Sequence, residues 1–297
     1  MHKYYYGVVM VLLSAFGFAL MPTFAKFAYK NDVTVMTLLI IRFSLAAMVF
    51  FSYLILTKQN LRLDKRNILG LFFLGAVCYT LQSAFYFSAV KYIPASLVVL
   101  ITYTHPTIIA VISCFLDHEP ITKIIAFSLI SSFVGLTLML GTALGNINGL
   151  GIMLATGASL VYSVYVVLGN KMLKKVPPLI ASAFIALFTS LGLLLFGILS
   201  DGISFGFQKA AWPWIIGLVA FSTVIAMLTF FRGLEVLGPT KATILSTAEP
   251  VFGVTIAIIL FHERLNILQF LGAAGVITGA VMAVHTRDKV KQEQKGG

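Results

Sequence analysis

The chain has 297 residues, of which 59% are hydrophobic and only 10% are charged, and its formal net charge is +11. In soluble domains about a quarter of all residues are charged, so this composition excludes an ordinary soluble protein. The positive charge does not indicate a nucleic-acid binder, because the basic residues are not gathered on a solvated domain.

Apolar runs of membrane-spanning length recur along the whole chain. A bilayer core of about 30 Å is crossed by about 20 helical residues. Two-residue alternation is absent, so helices must satisfy the backbone in lipid, and the expected fold class is all-α and polytopic. Charged residues, glycine, proline and asparagine divide the chain into ten predicted transmembrane helices, at residues 6–26, 34–57, 67–89, 94–116, 122–143, 149–170, 179–199, 212–234, 239–261 and 266–285.

Loop charges predict the orientation of these helices. With a cytoplasmic N-terminus, fourteen lysines and arginines fall on the cytoplasmic side and five on the other side. Basic loops favour the cytoplasm, so both termini are predicted there, in a multi-pass protein of the plasma membrane. Residues 287–297 then form a basic cytoplasmic tail.

The two halves of the chain are related. A shift of 144 residues lays residues 85–141 on 229–285 without a gap, and a shift of 145 sets Ser14 on Ser159. Each half, 1–145 and 146–286, carries five predicted helices. Because five is odd, the second half enters the membrane from the opposite side, which makes an inverted repeat typical of transporters that work by alternating access. The clearest identities are Phe87 with Phe231, Pro106 with Pro250, His118-Glu119 with His262-Glu263, and Gly135 with Gly279.

A polar motif recurs at the middle of the fourth and ninth spans. Thr102-x-x-His105-Pro106 superimposes on Ser246-x-x-Glu249-Pro250. A hydroxyl three residues before a titratable group shares its helix face, and the proline frees a backbone carbonyl. Two such motifs facing each other would form a central polar site. We expect Thr102, His105, Ser246 and Glu249 to bind substrate or couple its transport.

Glu249 and Arg42 are the charged residues deepest in the predicted spans. An ionised side chain at mid-depth is costly, so it needs a partner or a function. Glu249 is a candidate proton carrier or substrate counter-ion, and the alternative is a structural ion pair with Arg42. His105 is a candidate for the same site, and the alternative is a hydrogen-bonded packing histidine.

Tyrosines and small polar residues mark the expected lining of a cavity. The third span has a polar aromatic stripe of Tyr79, Gln82, Ser83 and Tyr86, at the three- and four-residue spacing of one helix face. Similar but weaker features are Tyr162 with Tyr165 on the sixth span and Ser222 with Thr223 on the eighth. Buried tyrosines also commonly satisfy a neighbouring carbonyl, so structural roles stay open.

Small residues predict close helix contacts in the fifth and tenth spans. Ser131-x-x-x-Gly135 and Gly275-x-x-x-Gly279 occupy matching positions in the two halves. Such pairs let helices approach closely. Packing within one chain is the simpler interpretation, and a homodimer contact is the alternative.

Motifs for cofactor chemistry are missing from the sequence. The His118-Glu119 and His262-Glu263 pairs do not continue to the second histidine of a zinc HExxH site, so no metal is expected. The sequence also contains no GxxxxGK[ST] phosphate loop and no GxSxG elbow. We therefore expect no cofactor, no nucleic acid and no enzymatic activity. A membrane-embedded enzyme remains a rival interpretation, and a passive channel is another.

The residues resemble the EamA family of the drug/metabolite transporter superfamily. The resemblance rests on Phe16-Gly17, Arg42, and Glu249-Pro250 followed by an apolar run to His262-Glu263-Arg264-Leu265. The first half departs from the family pattern at His105, where glutamate is common, and at Pro120, where arginine is common.

This resemblance implies two five-helix repeats in a secondary carrier without a cofactor. Its substrates would be amino acids or other small metabolites, and its net direction would be export. The family's cavity is lined by spans one, three, four, six, eight and nine, which include the polar candidates listed above. Substrate identity and coupling ion are not encoded in any short motif.

Overall fold

The computed structural model describes residues 2–93, 95–117, 120–140, 148–200, 202–261 and 267–293. All regular elements within these ranges are helices. Nine helical stretches in them are long and apolar enough to cross a membrane. The protein is therefore an all-α, polytopic membrane protein, as the composition predicts.

The first half of the chain begins with a helix that is interrupted at Leu20 and ends with a single long helix. A π-helical segment, Phe73–Tyr79, joins α4 to α5. The helices are α1 (His2–Ala19), α2 (Met21–Tyr29), α3 (Val35–Leu56), α4 (Lys65–Phe72), α5 (Thr80–Ala89), α6 (Ala95–Thr102), α7 (His105–Asp117) and α8 (Lys123–Leu140).

The second half has the same pattern of interruptions in its third and fourth stretches. A second π-helical segment, Ala220–Ile225, joins α11 to α12. The helices are α9 (Gly149–Leu173), α10 (Pro178–Leu199), α11 (Trp212–Val219), α12 (Ala226–Leu237), α13 (Pro239–Ser246), α14 (Glu249–Phe261) and α15 (Ile267–Glu293).

Hydropathy predicts the helix positions closely. The nine stretches agree with their predicted spans to within three residues at each end. The predicted span 239–261 corresponds to α13 and α14, and α15 continues beyond residue 285 into the predicted tail. The predicted loop pairs His118-Glu119 and His262-Glu263 lie outside the described residues.

Prolines interrupt the fourth stretch of each half. Pro106 and Pro250 are the second residues of α7 and α14. A proline has no N–H, and its ring clashes with the carbonyl four residues earlier, so a continuous helix is broken at this point. The interruptions, at residues 103–104 and 247–248, give each half two short helices within its fourth stretch.

The two π-helical segments are stabilised in the same way. Thr80 Oγ1 donates to the carbonyl of Gly75 at 3.3 Å, and Thr223 Oγ1 donates to the carbonyl of Leu218 at 3.1 Å. Each bond spans five residues, the spacing of a π turn. A threonine hydroxyl therefore accompanies the widened turn in both halves.

Glycines bring α8 and α15 into backbone contact. Ser131 Oγ donates to the carbonyl of Gly275 at 2.8 Å. A Cβ atom added to Gly135 would lie 2.5 Å from the carbonyl oxygen of Gly272 and 2.6 Å from the amide nitrogen of Val276. The small residues therefore serve packing within one chain, and a homodimer contact would have to use other surfaces.

We expect Gly135→Ala to lower the stability of the folded protein by about 1–3 kcal/mol, because the new methyl group meets backbone atoms that cannot move aside. The measurement is thermal unfolding of the purified protein in detergent. Gly253→Ala is the matched control, since its Cβ has nothing within 4 Å. An equal loss in both variants would contradict this account of the α8–α15 contact.

Candidate functional site

His105 and Glu249 each begin the second short helix of an interrupted stretch. The His105 side chain is only 5% exposed, and its Nδ1 lies 2.9 Å from the carbonyl oxygen of Thr102. Pro106 leaves this carbonyl without its usual helical donor, so the imidazole takes the place of the missing N–H. The proline and the histidine therefore form one structural unit.

Ser159 of α9 supplies a second hydrogen bond to the Thr102 carbonyl at the helix interruption. Its Oγ donates to the Thr102 carbonyl at 3.0 Å and lies 2.9 Å from Thr104 Oγ1. Ser159 was matched with Ser14 in the repeat, and Ser14 Oγ donates to the carbonyl of Ala226 at 2.8 Å. Both serines therefore bind backbone carbonyls of other helices. Sequence reasoning did not name Ser159 as a site residue, although its repeat position was a signal.

The hydrogen bond to Thr102 determines which nitrogen of His105 carries the proton. A carbonyl can only accept, so Nδ1 is the donor and the neutral ring presents an unprotonated Nε2. This Nε2 is buried and has no hydrogen-bond partner among the described residues. Buried polar atoms are nearly always paired, so Nε2 is a candidate acceptor for an N–H or O–H group of a solute.

Aromatic rings form a continuous row from α3 to α7. The ring of His105 lies edge-on to Tyr162 at 4.8 Å, and Tyr162 stacks on Tyr165 at 5.8 Å. Tyr165 contacts Tyr79 at 5.6 Å, and Tyr79 contacts Phe43 at 5.0 Å. Edge-to-face and stacked rings at these distances attract one another. The predicted tyrosines Tyr79, Tyr162 and Tyr165 therefore belong to the same row of rings as His105.

Tyr103 links Glu249 to this row of rings. Tyr103 is an electrostatic neighbour of Glu249, and its ring lies 5.5 Å from that of His105. Tyr86 and Tyr162 are further electrostatic neighbours of Glu249. We call His105, Glu249 and these three tyrosines the central cluster. Tyr103 was not predicted, because only the interruption of the helix turns it towards both titratable groups.

The predicted hydroxyl groups do not meet across the centre. Thr102 Oγ1 donates to the carbonyl of Val98 at 2.7 Å, and Ser246 Oγ donates to that of Thr243 at 2.8 Å. Both hydroxyls bind their own helices, a common alternative for serine and threonine in helices. It is the carbonyl of Thr102, rather than its hydroxyl, that contacts His105.

Two other predicted residues have contacts outside the central cluster. Gln82 Oε1 lies 3.5 Å from Ser83 Oγ, so this contact stays within the third-span stripe. Thr223 Oγ1 accepts a hydrogen bond from Arg42 Nε at 2.8 Å. Thr223 therefore belongs to the π-helical segment and to the surroundings of Arg42.

Arg42 does not form the ion pair with Glu249 that was weighed as an alternative. Its Nη2 donates to the carbonyl of Ser222 at 3.1 Å, and its Nη1 lies 2.8 Å from the sulfur of Met21. Arg42 has an electrostatic effect on Glu249, but no ion pair joins the two groups.

Two cavities differ in size and position. The smaller, about 10 Å³, lies beside the interrupted helices and is lined by residues that include Tyr103, Pro106, Ser132 and Thr247. Its volume is about that needed for one water molecule. The larger, about 470 Å³, opens at the end of the bundle that contains Lys3, Arg232 and Glu235.

No group of three or more His, Cys, Asp or Glu side chains suited to a metal occurs in the described ranges.

The bundle of apolar helices around a buried polar and aromatic centre defines the class of a polytopic membrane protein with an internal site. The EamA-like transporter family matches residues 5–141 and again residues 149–285. The chain belongs to the EamA-like transporter family, and it is therefore a membrane transporter.

Known proteins with similar sequences are also described as transporters. An uncharacterized transporter of Archaeoglobus fulgidus is 26% identical over 281 residues, which cover 94% of this chain and 96% of that protein. The uncharacterized transporter YcbK of Bacillus subtilis is 22% identical over 286 residues, or 92% of each chain. A crystal structure superposes with a TM-score of 0.81 at 21% identity, covering 95% of this chain and 97% of the other, which supports the fold.

We expect Ser159→Ala to destabilise the protein by about 1–2 kcal/mol, because a buried carbonyl next to Pro106 loses a donor. Thermal unfolding in detergent measures the loss. Ser163→Ala is the matched control: Ser163 is equally buried, but its hydroxyl bonds the Ser159 carbonyl within one helix at 2.7 Å. The assignment fails if the control variant loses as much stability as Ser159→Ala.

Proposed function

We propose that the protein is a secondary active transporter that moves a small metabolite, such as an amino acid, by alternating access. The observation that carries this proposal is the central cluster, in which two interrupted helices place His105 and Glu249 near the same tyrosine, Tyr103. Interrupted helices near mid-membrane are typical of transporter binding sites, because their free backbone groups and first residues can contact a solute. Export is proposed from the family resemblance.

The architecture proposed for this mechanism has ten crossings in two inverted repeats, with α13 and α14 together forming the ninth. Equivalent places in the halves carry a proline interruption and a π-helical segment. Ser131 also binds Gly275, its own partner in the 144-residue shift. Residues on a pseudo-two-fold axis are expected to contact their repeat partners, so this bond supports the two-fold relation between the halves that the inverted arrangement requires.

Within this proposal, Glu249 carries a proton or faces a positively charged group of the solute. A lone carboxylate in a membrane interior is costly, so Glu249 should either bind a cationic group or take up a proton. The Nε2 of His105 offers an acceptor to the same solute. The tyrosines Tyr79, Tyr86 and Tyr162 supply apolar faces with polar edges.

We expect Glu249→Gln to reduce solute exchange at least about tenfold, because a neutral amide replaces a charge-assisted contact. The measurement is counterflow in proteoliposomes with a panel of labelled amino acids and small amines. His105→Ala should change the apparent affinity for the exchanged solute. Asp64→Asn is the matched control, since Asp64 is an exposed acid directly before α4 and outside both described cavities.

The same assay separates the rival mechanisms. Full exchange with unchanged pH dependence in Glu249→Gln would refute the proposed coupling role. Flux without acceleration by solute on the far side would instead indicate a passive facilitator. A panel in which no solute exchanges would mean that the proposed substrate class is wrong.

The inverted repeat predicts that equivalent loops lie on opposite sides of the membrane. In a background with Cys78→Ser and Cys114→Ser, we expect Phe205→Cys to react with an impermeant maleimide in intact cells. Asn60→Cys should react only after the cells are opened, because its loop is proposed to be cytoplasmic along with both termini. Both positions are exposed in the structure. Labelling of both from the same side would rule out the inverted arrangement.

A further inference from the structure

Arg42 is a buried cation whose partners in the structure are all uncharged. Its side chain is 4% exposed and lies within a membrane-spanning helix, α3. Charged side chains at such positions normally pair with an opposite charge, because an isolated charge is costly in a medium of low polarity. Among the described residues, Arg42 makes no ion pair with a carboxylate.

The hydrogen bonds of Arg42 hold the guanidinium in place without neutralising it. Its acceptors are the hydroxyl of Thr223, the carbonyl of Ser222 and the thioether of Met21. A thioether is a weak acceptor, so the Nη1 group is poorly satisfied. A guanidinium has five N–H groups, and three are used here, which leaves donors available for a planar anion such as a carboxylate.

The hydrogen-bond partners of Arg42 indicate the ligand chemistry. Its donors contact only neutral acceptors and form no ion pair with Glu249, so a group that binds Arg42 tightly should be anionic. If Glu249 faces a positively charged group of the same solute, as proposed above, that solute carries both a carboxylate and an ammonium group. An α-amino acid bears these two groups on one carbon atom.

We propose that Arg42 is the residue that binds the acidic group of the transported solute, with Glu249 facing its ammonium group. The solute's carboxylate would replace the sulfur of Met21 as the acceptor for Nη1. This inference rests on the proposed transport function and deepens it, since it gives Arg42 a role in specificity rather than in structure alone.

The test compares solutes that differ only in the acidic group. The probes are L-leucine, L-leucinamide and 3-methylbutylamine, together with L-phenylalanine, L-phenylalaninamide and 2-phenylethylamine. Full-length protein is assayed by competition in counterflow and by thermal stabilisation in detergent. For at least one of the two series, we expect the unaltered protein to prefer the acid over its amide by about tenfold or more, the usual worth of a charge-assisted contact.

Arg42→Met should abolish this preference while binding of the amide and the amine persists. Thr189→Val is the matched control, because Thr189 Oγ1 donates to the Gly75 carbonyl of the other π-helical segment at 3.3 Å. The control should keep the preference for the acid. If Arg42→Met does not fold, Arg42→Lys decides: a preference weakened by about threefold or more supports the inference, since lysine lacks the planar fork.

Different failures have different meanings. A folded Arg42→Met protein, or in its place Arg42→Lys, that still prefers the acid as strongly as the unaltered chain overturns the role of Arg42. Equal handling of acid and amide by the unaltered carrier does the same, and transport itself stands. If none of the six compounds is exchanged or bound by the unaltered protein, the inference falls together with the proposed amino-acid substrate.

Discussion

The central constraint on this structure is that a backbone carbonyl cannot remain unpaired inside a membrane. Pro106 removes the helical donor that would satisfy Thr102, and two side chains replace it. His105 supplies one hydrogen bond from its own helix, and Ser159 supplies the other from α9. The geometry of the candidate site follows, because satisfying one carbonyl fixes the position of the imidazole and leaves Nε2 facing away from it.

The same constraint explains the surroundings of Arg42. A π-helical turn widens the helix and offers carbonyl and hydroxyl groups at unusual positions. In the second half, this turn provides Ser222 and Thr223 as acceptors for the guanidinium. The equivalent turn of the first half is contacted by Thr189 of α10, whose Oγ1 donates to the Gly75 carbonyl. One backbone device therefore accommodates a buried cation in one place and a neutral hydroxyl in the other.

Sequence alone predicts the helices of this protein better than its site. Hydropathy located the spans because burial in lipid demands long apolar runs, and the repeat located His105 and Glu249. The hydroxyls of Thr102 and Ser246 were expected to face the centre, but each donates instead to a carbonyl of its own helix. Tyr103 was missed because its direction depends on the interrupted turn, and the π-helical segments have no simple signature in composition.

The two halves share a backbone plan but differ in the side chains at its key positions. A histidine begins α7 where a glutamate begins α14, and Arg42 lies beside the π-helical turn of the second half only. If the halves are inverted as proposed, matched backbone packing gives the inward and outward states similar energies, which alternating access requires. Any energy difference between the two states then arises from the residues that differ between the halves. Recognition of a solute would therefore depend on His105, Glu249 and Arg42, while the prolines, glycines and threonines common to both halves would support the motion.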